Sequence, residues 1–124
     1  MLVEQNLTER IICLAIEVHR NTGRGLLESV YENCLCYEFH QARLPFERQV
    51  SIPVNYKGVS VGGGFRADMV VDRKVILEIK SIASILPAHE AQLQTYLRMS
   101  GIGIGLLINF NVSRLTDGLR RFVI

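Results

Sequence analysis

Apolar residues recur at helical spacing in the first third of the chain and at strand spacing in the middle. Between Asn6 and His19, Leu7, Ile11, Leu14 and Val18 fall at i, i+4, i+7 and i+11, one stripe on a helix. Asn6 can cap that helix with Glu9 at its third position, and Gly23 can stop it. Gly23-Arg24-Gly25 is a short flexible turn. A second helix is expected from Leu26 to Ala42, with Leu27, Val30, Tyr31, Cys34, Leu35 and Phe39 as its apolar face. Pro45 marks the exit. The period then drops to two. Over Phe46 to Tyr56, Val50, Ile52 and Val54 share one face and Gln49, Ser51 and Asn55 the other. Pro53 donates no backbone hydrogen bond, which points to an edge strand. Tyr56-Lys57-Gly58-Val59 is a turn, Val59 to Val61 a short strand, and Gly62-Gly63-Gly64 breaks it. The triple glycine lacks the lysine and following helix of a phosphate loop, and reads as a flexible tip or a bulge allowing close approach.

Arg66 to Val71 and Val75 to Lys80 then flank Asp72-Arg73-Lys74 as the arms of a tight hairpin. With the turn centred on Arg73, residues equidistant from it face each other, so Asp68 lies opposite Glu78. Lys80 is two residues past Glu78 and shares its face. Val75, Leu77 and Ile79 point the other way, as do Ala67, Met69 and Val71. Pro87-Ala88-His89 opens a third helix, carried by Ala91, Leu93, Tyr96, Leu97 and Met99 and ended by Gly101. Ile104 to Phe110 is a nearly continuous apolar run, as in a strand buried on both faces. Leu119 to Ile124 can form a last strand. The order α-α-β-β-β-α-β-(β) indicates an α/β domain, a mixed sheet flanked by helices.

The chain has 124 residues, of which 48% are hydrophobic, enough for one domain over 1–124 with an ordinary core. A formal net charge of +2 neither demands nor excludes a nucleic-acid partner, because a local patch matters more than the total. No segment approaches a membrane span, and Met-Leu-Val-Glu-Gln-Asn lacks the basic and apolar regions of a signal peptide. Cys13, Cys34 and Cys36 are odd in number and lie within helical patterns. They read as structural thiols rather than a disulfide framework or a zinc site. A cytoplasmic location is expected.

Asp68, Glu78 and Lys80 bring two carboxylates and an amine to one patch of an otherwise apolar hairpin. Directly opposed like charges destabilise a sheet, and a desolvated charge is costly unless paired or bound to metal. Carboxylate oxygens this close suit Mg²⁺ or Mn²⁺, and an adjacent ammonium can orient water or stabilise a developing phosphorane. The competing reading is a surface salt-bridge cluster in which Lys80 offsets two acids. Gln92 and Tyr96 share a face of the third helix. Gln92 could hold a water, a phosphate or a base, although both could be ordinary helix-face residues. Glu28 sits where a helix dipole stabilises an anion, with Glu32 one turn on. His19, His40 and His89 show no metal-ligand spacing, and His89 reads best as a solvated first-turn residue.

Several of these segments together resemble a known family of small bacterial proteins. Gly25-Leu-Leu-Glu28-Ser-Val-Tyr31 matches the G-x-x-E-x-x-Y signature that names it. Phe65-Arg-Ala-Asp68, Glu78-Ile-Lys80, His89 to Leu97 and Gly105 to Asn111 resemble it too. That family is grouped with the PD-(D/E)XK nuclease superfamily, and Ala67 stands where the superfamily's variable proline would be. The resemblance implies a restriction-endonuclease-like α-β-β-β-α-β core and a Mg²⁺- or Mn²⁺-dependent nuclease acting on nucleic acid, DNA in the first instance. Asp68 and Glu78 would hold the ion, joined by the Ile79 carbonyl. Lys80 would be the catalytic lysine, and Glu28 would bind a second ion or a metal-bound water. Gln92 would orient the site, with Tyr96 and Tyr31 in support. The alternative is a non-catalytic module that keeps the fold and binds nucleic acid or a protein partner. A homodimer or a partner protein would suit the edge strand near Pro53.

Overall fold

A computed structural model describes residues 4–124, so the reading of the N-terminus rests in part on residues outside those described. The elements are α1 (Gln5–Thr22), α2 (Glu28–Gln41), β1 (Phe46–Ile52), β2 (Asn55–Tyr56), β3 (Val59–Ser60), β4 (Phe65–Val71), β5 (Val75–Lys80), α3 (Pro87–Ser100), β6 (Ile104–Asn109), a 3₁₀ turn (Leu115–Gly118) and β7 (Leu119–Val123). Five strands form one mixed sheet in the order β1-β4-β5-β6-β7. β5 and β6 run parallel, which requires the crossover that α3 supplies. The other neighbours are antiparallel.

The sheet is covered on both faces. Ile11, Ala15 and Val18 of α1 and Tyr31, Leu35 and Phe39 of α2 pack on Met69, Val71, Leu77, Leu106 and Ile108. Leu93, Tyr96 and Leu97 of α3 pack on Val70, Ile76 and Leu107 from the other side. Every residue of β6 is buried, as its continuous apolar run requires. Among the described residues no helix is long and apolar enough to cross a membrane.

Four local expectations change. Helix α1 begins at Gln5, and the residue before it, Glu4, is left-handed and makes no side-chain cap. Asn6 lies inside the helix, where it cannot act as the cap, while Thr8 Oγ1 bonds back to the Gln5 carbonyl at 2.9 Å. In α2, Leu27 is 72% exposed and Val30 also faces solvent, whereas Glu32 and Cys36 are buried. Apolar residues surround this helix, so periodicity alone did not select the face that meets the sheet.

The long strand Phe46 to Tyr56 is cut at Pro53. Asn55–Tyr56 instead pairs with Val59–Ser60 as a separate two-stranded sheet. β1 does lie at a sheet edge. Gly64 follows that small hairpin, and a Cβ there would run into the Ile52 carbonyl oxygen. This is the close approach that the glycine run suggested.

The fourth change concerns Ala67. It packs under α3 with Ile52 and Val70, not with Met69 and Val71 on the other face. Its partner Val50 also packs under α3, whereas Phe46 packs under α1 and α2. The register is unbroken, Arg48 facing Met69 and Val50 facing Ala67, so Gln49 stands opposite Asp68. Gln49 has φ 50, far from the roughly −140° of an antiparallel strand. Its carboxamide donates to Glu32 Oε1 at 2.9 Å, and Glu32 also receives Arg48 at 2.9 Å. The buried glutamate of α2 therefore anchors a turn of the strand pair that exchanges its two faces beside Asp68.

Candidate active site

The hairpin register is as the sequence implies. Val71 pairs with Val75, Val70 with Ile76 and Met69 with Leu77. Asp72 and Arg73 both have positive φ, and the Lys74 N–H closes the turn on the Val71 carbonyl at 3.0 Å. One step further along, side chains replace the ladder. Asp68 Oδ2 accepts the Ile79 N–H at 2.8 Å, and Glu78 Oε1 accepts the Asp68 N–H at 3.4 Å. Each acid thus satisfies an amide of the opposite strand, and the two carboxyl groups come within hydrogen-bonding reach of each other.

Glu78 is only 4% exposed. Burial pushes its pKa up to about 8, and the charge of Asp68 and the hydrogen bond to it push the same way. Lys80 and the Asp68 amide oppose the shift without overcoming it. At neutral pH the metal-free pair therefore holds a proton. Lys80 is half-buried, and among the described residues its ammonium makes no hydrogen bond or ion pair within 4 Å.

Helix α3 brings Tyr96 over this pair. Its ring packs on Phe65 at 5.1 Å, and its phenol is pushed up to about 12 by burial and then by the charges of Glu78 and Asp68. Sequence placed Tyr96 behind Gln92, and the structure couples it to the acids themselves. Gln92 is exposed one turn earlier, with no hydrogen bond to Asp68 or Glu78. At the start of the same helix, His89 Nδ1 accepts the Leu86 N–H at 2.9 Å, so it caps the helix rather than facing water alone.

From the other face, α2 brings Glu28 to the exit of β5. Glu28 Oε2 accepts the Ser81 N–H at 3.3 Å, directly after Lys80, and Ser81 Oγ donates to the Leu26 carbonyl at 2.6 Å. Tyr31, fully buried and stacked on Phe110 at 4.4 Å, holds the preceding loop. Its hydroxyl donates to the Gly23 carbonyl at 2.7 Å and accepts the Leu26 N–H at 3.2 Å. Gly25, at φ 98, supplies a conformation other residues rarely adopt. Gly25, Glu28 and Tyr31 thus have one joint effect, to set the start of α2 against the end of β5.

Sequence reasoning gave no role to Asn109, Asn111 or Ser81. Asn109 is buried, accepts the Ile82 and Asn111 amides and donates to the Ile82 carbonyl. Asn111 donates to the same carbonyl at 3.2 Å. The pair fixes the chain just beyond Lys80. Asn109 had a signal: it is a polar residue inside an apolar run, and a buried amide needs partners.

Asp68 and Glu78 offer the oxygen donors a hard divalent cation takes, and its charge could replace the proton they share. Among the described residues no group of three His, Cys, Asp or Glu side chains is placed to hold a metal ion. No curated protein and no solved structure matches the chain. A family model of the PD-(D/E)XK nuclease superfamily matches residues 5–122, nearly the whole chain. An acid pair at a splayed hairpin, a lysine two residues on and a five-stranded mixed sheet between helices agree with that match: this chain belongs to the PD-(D/E)XK nuclease superfamily.

Proposed function

We propose that the protein is a divalent-metal-dependent nuclease that hydrolyses phosphodiester bonds, with DNA as its first candidate substrate. Membership of the superfamily implies a nuclease-like function and nucleic-acid binding, and such nucleases generally use divalent metals. The observation that carries the reading is the buried Glu78 held against the half-buried Asp68, with Lys80 beside them. A fold built only for stability would not set a buried acid against a second carboxyl group.

Asp68, Glu78 and the Ile79 carbonyl would hold Mg²⁺ or Mn²⁺. The ion would polarise the scissile phosphate and help generate hydroxide. Lys80, with no competing ion pair, would position the attacking water or stabilise charge on the transferring phosphoryl group. Glu28 would hold a second ion or a water at the same strand end. Gln92 would orient substrate from the rim. Tyr96 would help keep water away from the acids, and Tyr31 would support Glu28. The mutual fit of Gly25, Glu28 and Tyr31 supports placing the chain in the GxxExxY group.

A second reading has one observation in its favour. The absence of a three-ligand group among the described residues suits a module that binds nucleic acid or a protein without cutting. One assay decides. Purified protein with Mg²⁺ or Mn²⁺ should degrade DNA or RNA, EDTA should abolish cleavage, and Lys80→Met should remove turnover while metal binding persists. No cleavage above the Lys80→Met control, across both metals and single- and double-stranded substrates, would leave the binding module as the better account.

A further inference from the structure

Beside the acid pair, at the same end of the sheet, lies a second polar feature. β5 and β6 are parallel, so their carboxyl ends share one edge of the molecule, where open α/β sheets bind ligands. Beyond β6, the chain forms one wall of an open groove of about 460 Å³, lined by His19, Arg20, Ser113, Arg114 and Thr116 among others. Arg24 borders it. Its guanidinium donates to Asn111 Oδ1 at 3.5 Å, the Asn111 carbonyl at 3.4 Å and Ser113 Oγ at 3.3 Å. All three acceptors are neutral and the contacts are long.

Among the described residues neither Arg24 nor Arg114 has a carboxylate within 4 Å. Arg20 meets Glu17 at 3.6 Å, with both side chains well exposed, so that pair offsets little. The groove is tied to the candidate active site through few bonds. Arg24 bonds Asn111, Asn111 bonds Ile82, and Ile82 is two residues past Lys80. Three cations and two hydroxyls, largely uncompensated, thus border a groove beside the residues proposed to cut.

We propose that this groove binds backbone phosphates of the nucleic acid flanking the scissile bond, with Arg24 and Arg114 as the principal contacts. Guanidinium forks suit phosphate oxygens, and Ser113 and Thr116 add neutral donors. The proposal rests on the nuclease reading for its ligand but uses none of the same residues.

The test is binding, not turnover. A labelled mixed-sequence oligonucleotide is titrated by anisotropy against Lys80→Met protein, over roughly 50–200 mM salt. Adding Arg24→Gln and Arg114→Gln should weaken binding at least tenfold. It should also lower the slope of log K against log[salt] by roughly 1.4–1.8, the share of two phosphate contacts. Arg98→Gln, on the last turn of α3 at the opposite sheet end, should change neither. Arg114→Gln alone, at an exposed position without a partner, should show about half the slope change and cannot act by unfolding. An unchanged slope in both variants overturns the proposal. So does a failure of the oligonucleotide to bind at all. Loss of slope in these variants, with a wild type that cleaves nothing in either metal, would uphold the groove and reject the nuclease. Cleavage with an unchanged slope would do the reverse.

Discussion

Glu78 keeps its proton because α3 covers it and Asp68 stands against it, and that makes pH a direct handle on the site. Its folded pKa of about 8 lies above the ordinary 4.5. The fold therefore binds this proton more tightly than the unfolded chain does. The associated stability is complete below about pH 4.5 and is lost as pH rises towards 8. At ~1.4 kcal/mol per unit, the loss is at most on the order of 3–5 kcal/mol. Glu78→Gln, which mimics the protonated acid, should flatten this slope. Urea denaturation in EDTA at intervals from about pH 5 to 9 checks it, and a wild type that parallels Glu78→Gln throughout would show that no proton is held there. Mn²⁺ must displace the same proton, so its affinity should climb with pH and level off above 8. The acid pair was legible in the sequence because a tight turn fixes which residues face each other. The shared proton was not, because it depends on burial by a helix that enters only later in the chain.

At the level of elements, the short connections decide where the chemistry stands. Gly64 follows the β2–β3 hairpin so closely against Ile52 that a methyl group has no room. Gly64→Ala should cost about 1–3 kcal/mol, as overpacking does. Gly63→Ala, with nothing within 4 Å of the added carbon, should stay within about 0.5 kcal/mol of wild type. Thermal melts of the two variants side by side test this, and equal effects would place the tight contact elsewhere. The glycine run announced the close approach but not which glycine makes it. The buried strand Ile104–Asn109 and the hairpin arms were readable because their patterns admit one interpretation. Helix α2 was not, since Leu27 and Val30 look as apolar as Tyr31 and Leu35. The exchange of faces at Gln49 was invisible for another reason. It is imposed by Glu32, distant in sequence, and no local pattern encodes it.

For the whole molecule, the acid pair sets function against folding. A cation that binds only the folded chain should stabilise it by about 2.7 kcal/mol at a hundred times its Kd. Mn²⁺ should therefore raise the melting temperature of wild type and raise that of Asp68→Asn much less. In EDTA, Asp68→Asn should melt close to wild type at neutral pH, since asparagine still offers an oxygen both to the Ile79 amide and to the proton that Glu78 holds. A simple salt bridge to Lys80 would give the opposite result, a loss in EDTA with no response to metal in either protein. The turn at Gln49 has a consequence well away from catalysis. β1 is an edge strand, and a straight edge is an open template on which another chain can add strand after strand. A residue at φ 50 in the middle of β1 swings one amide and one carbonyl out of line. A second molecule meets a broken ladder along that margin, so the bend that turns the strand pair beside Asp68 also hinders strand addition at this edge and leaves β7 as the other one.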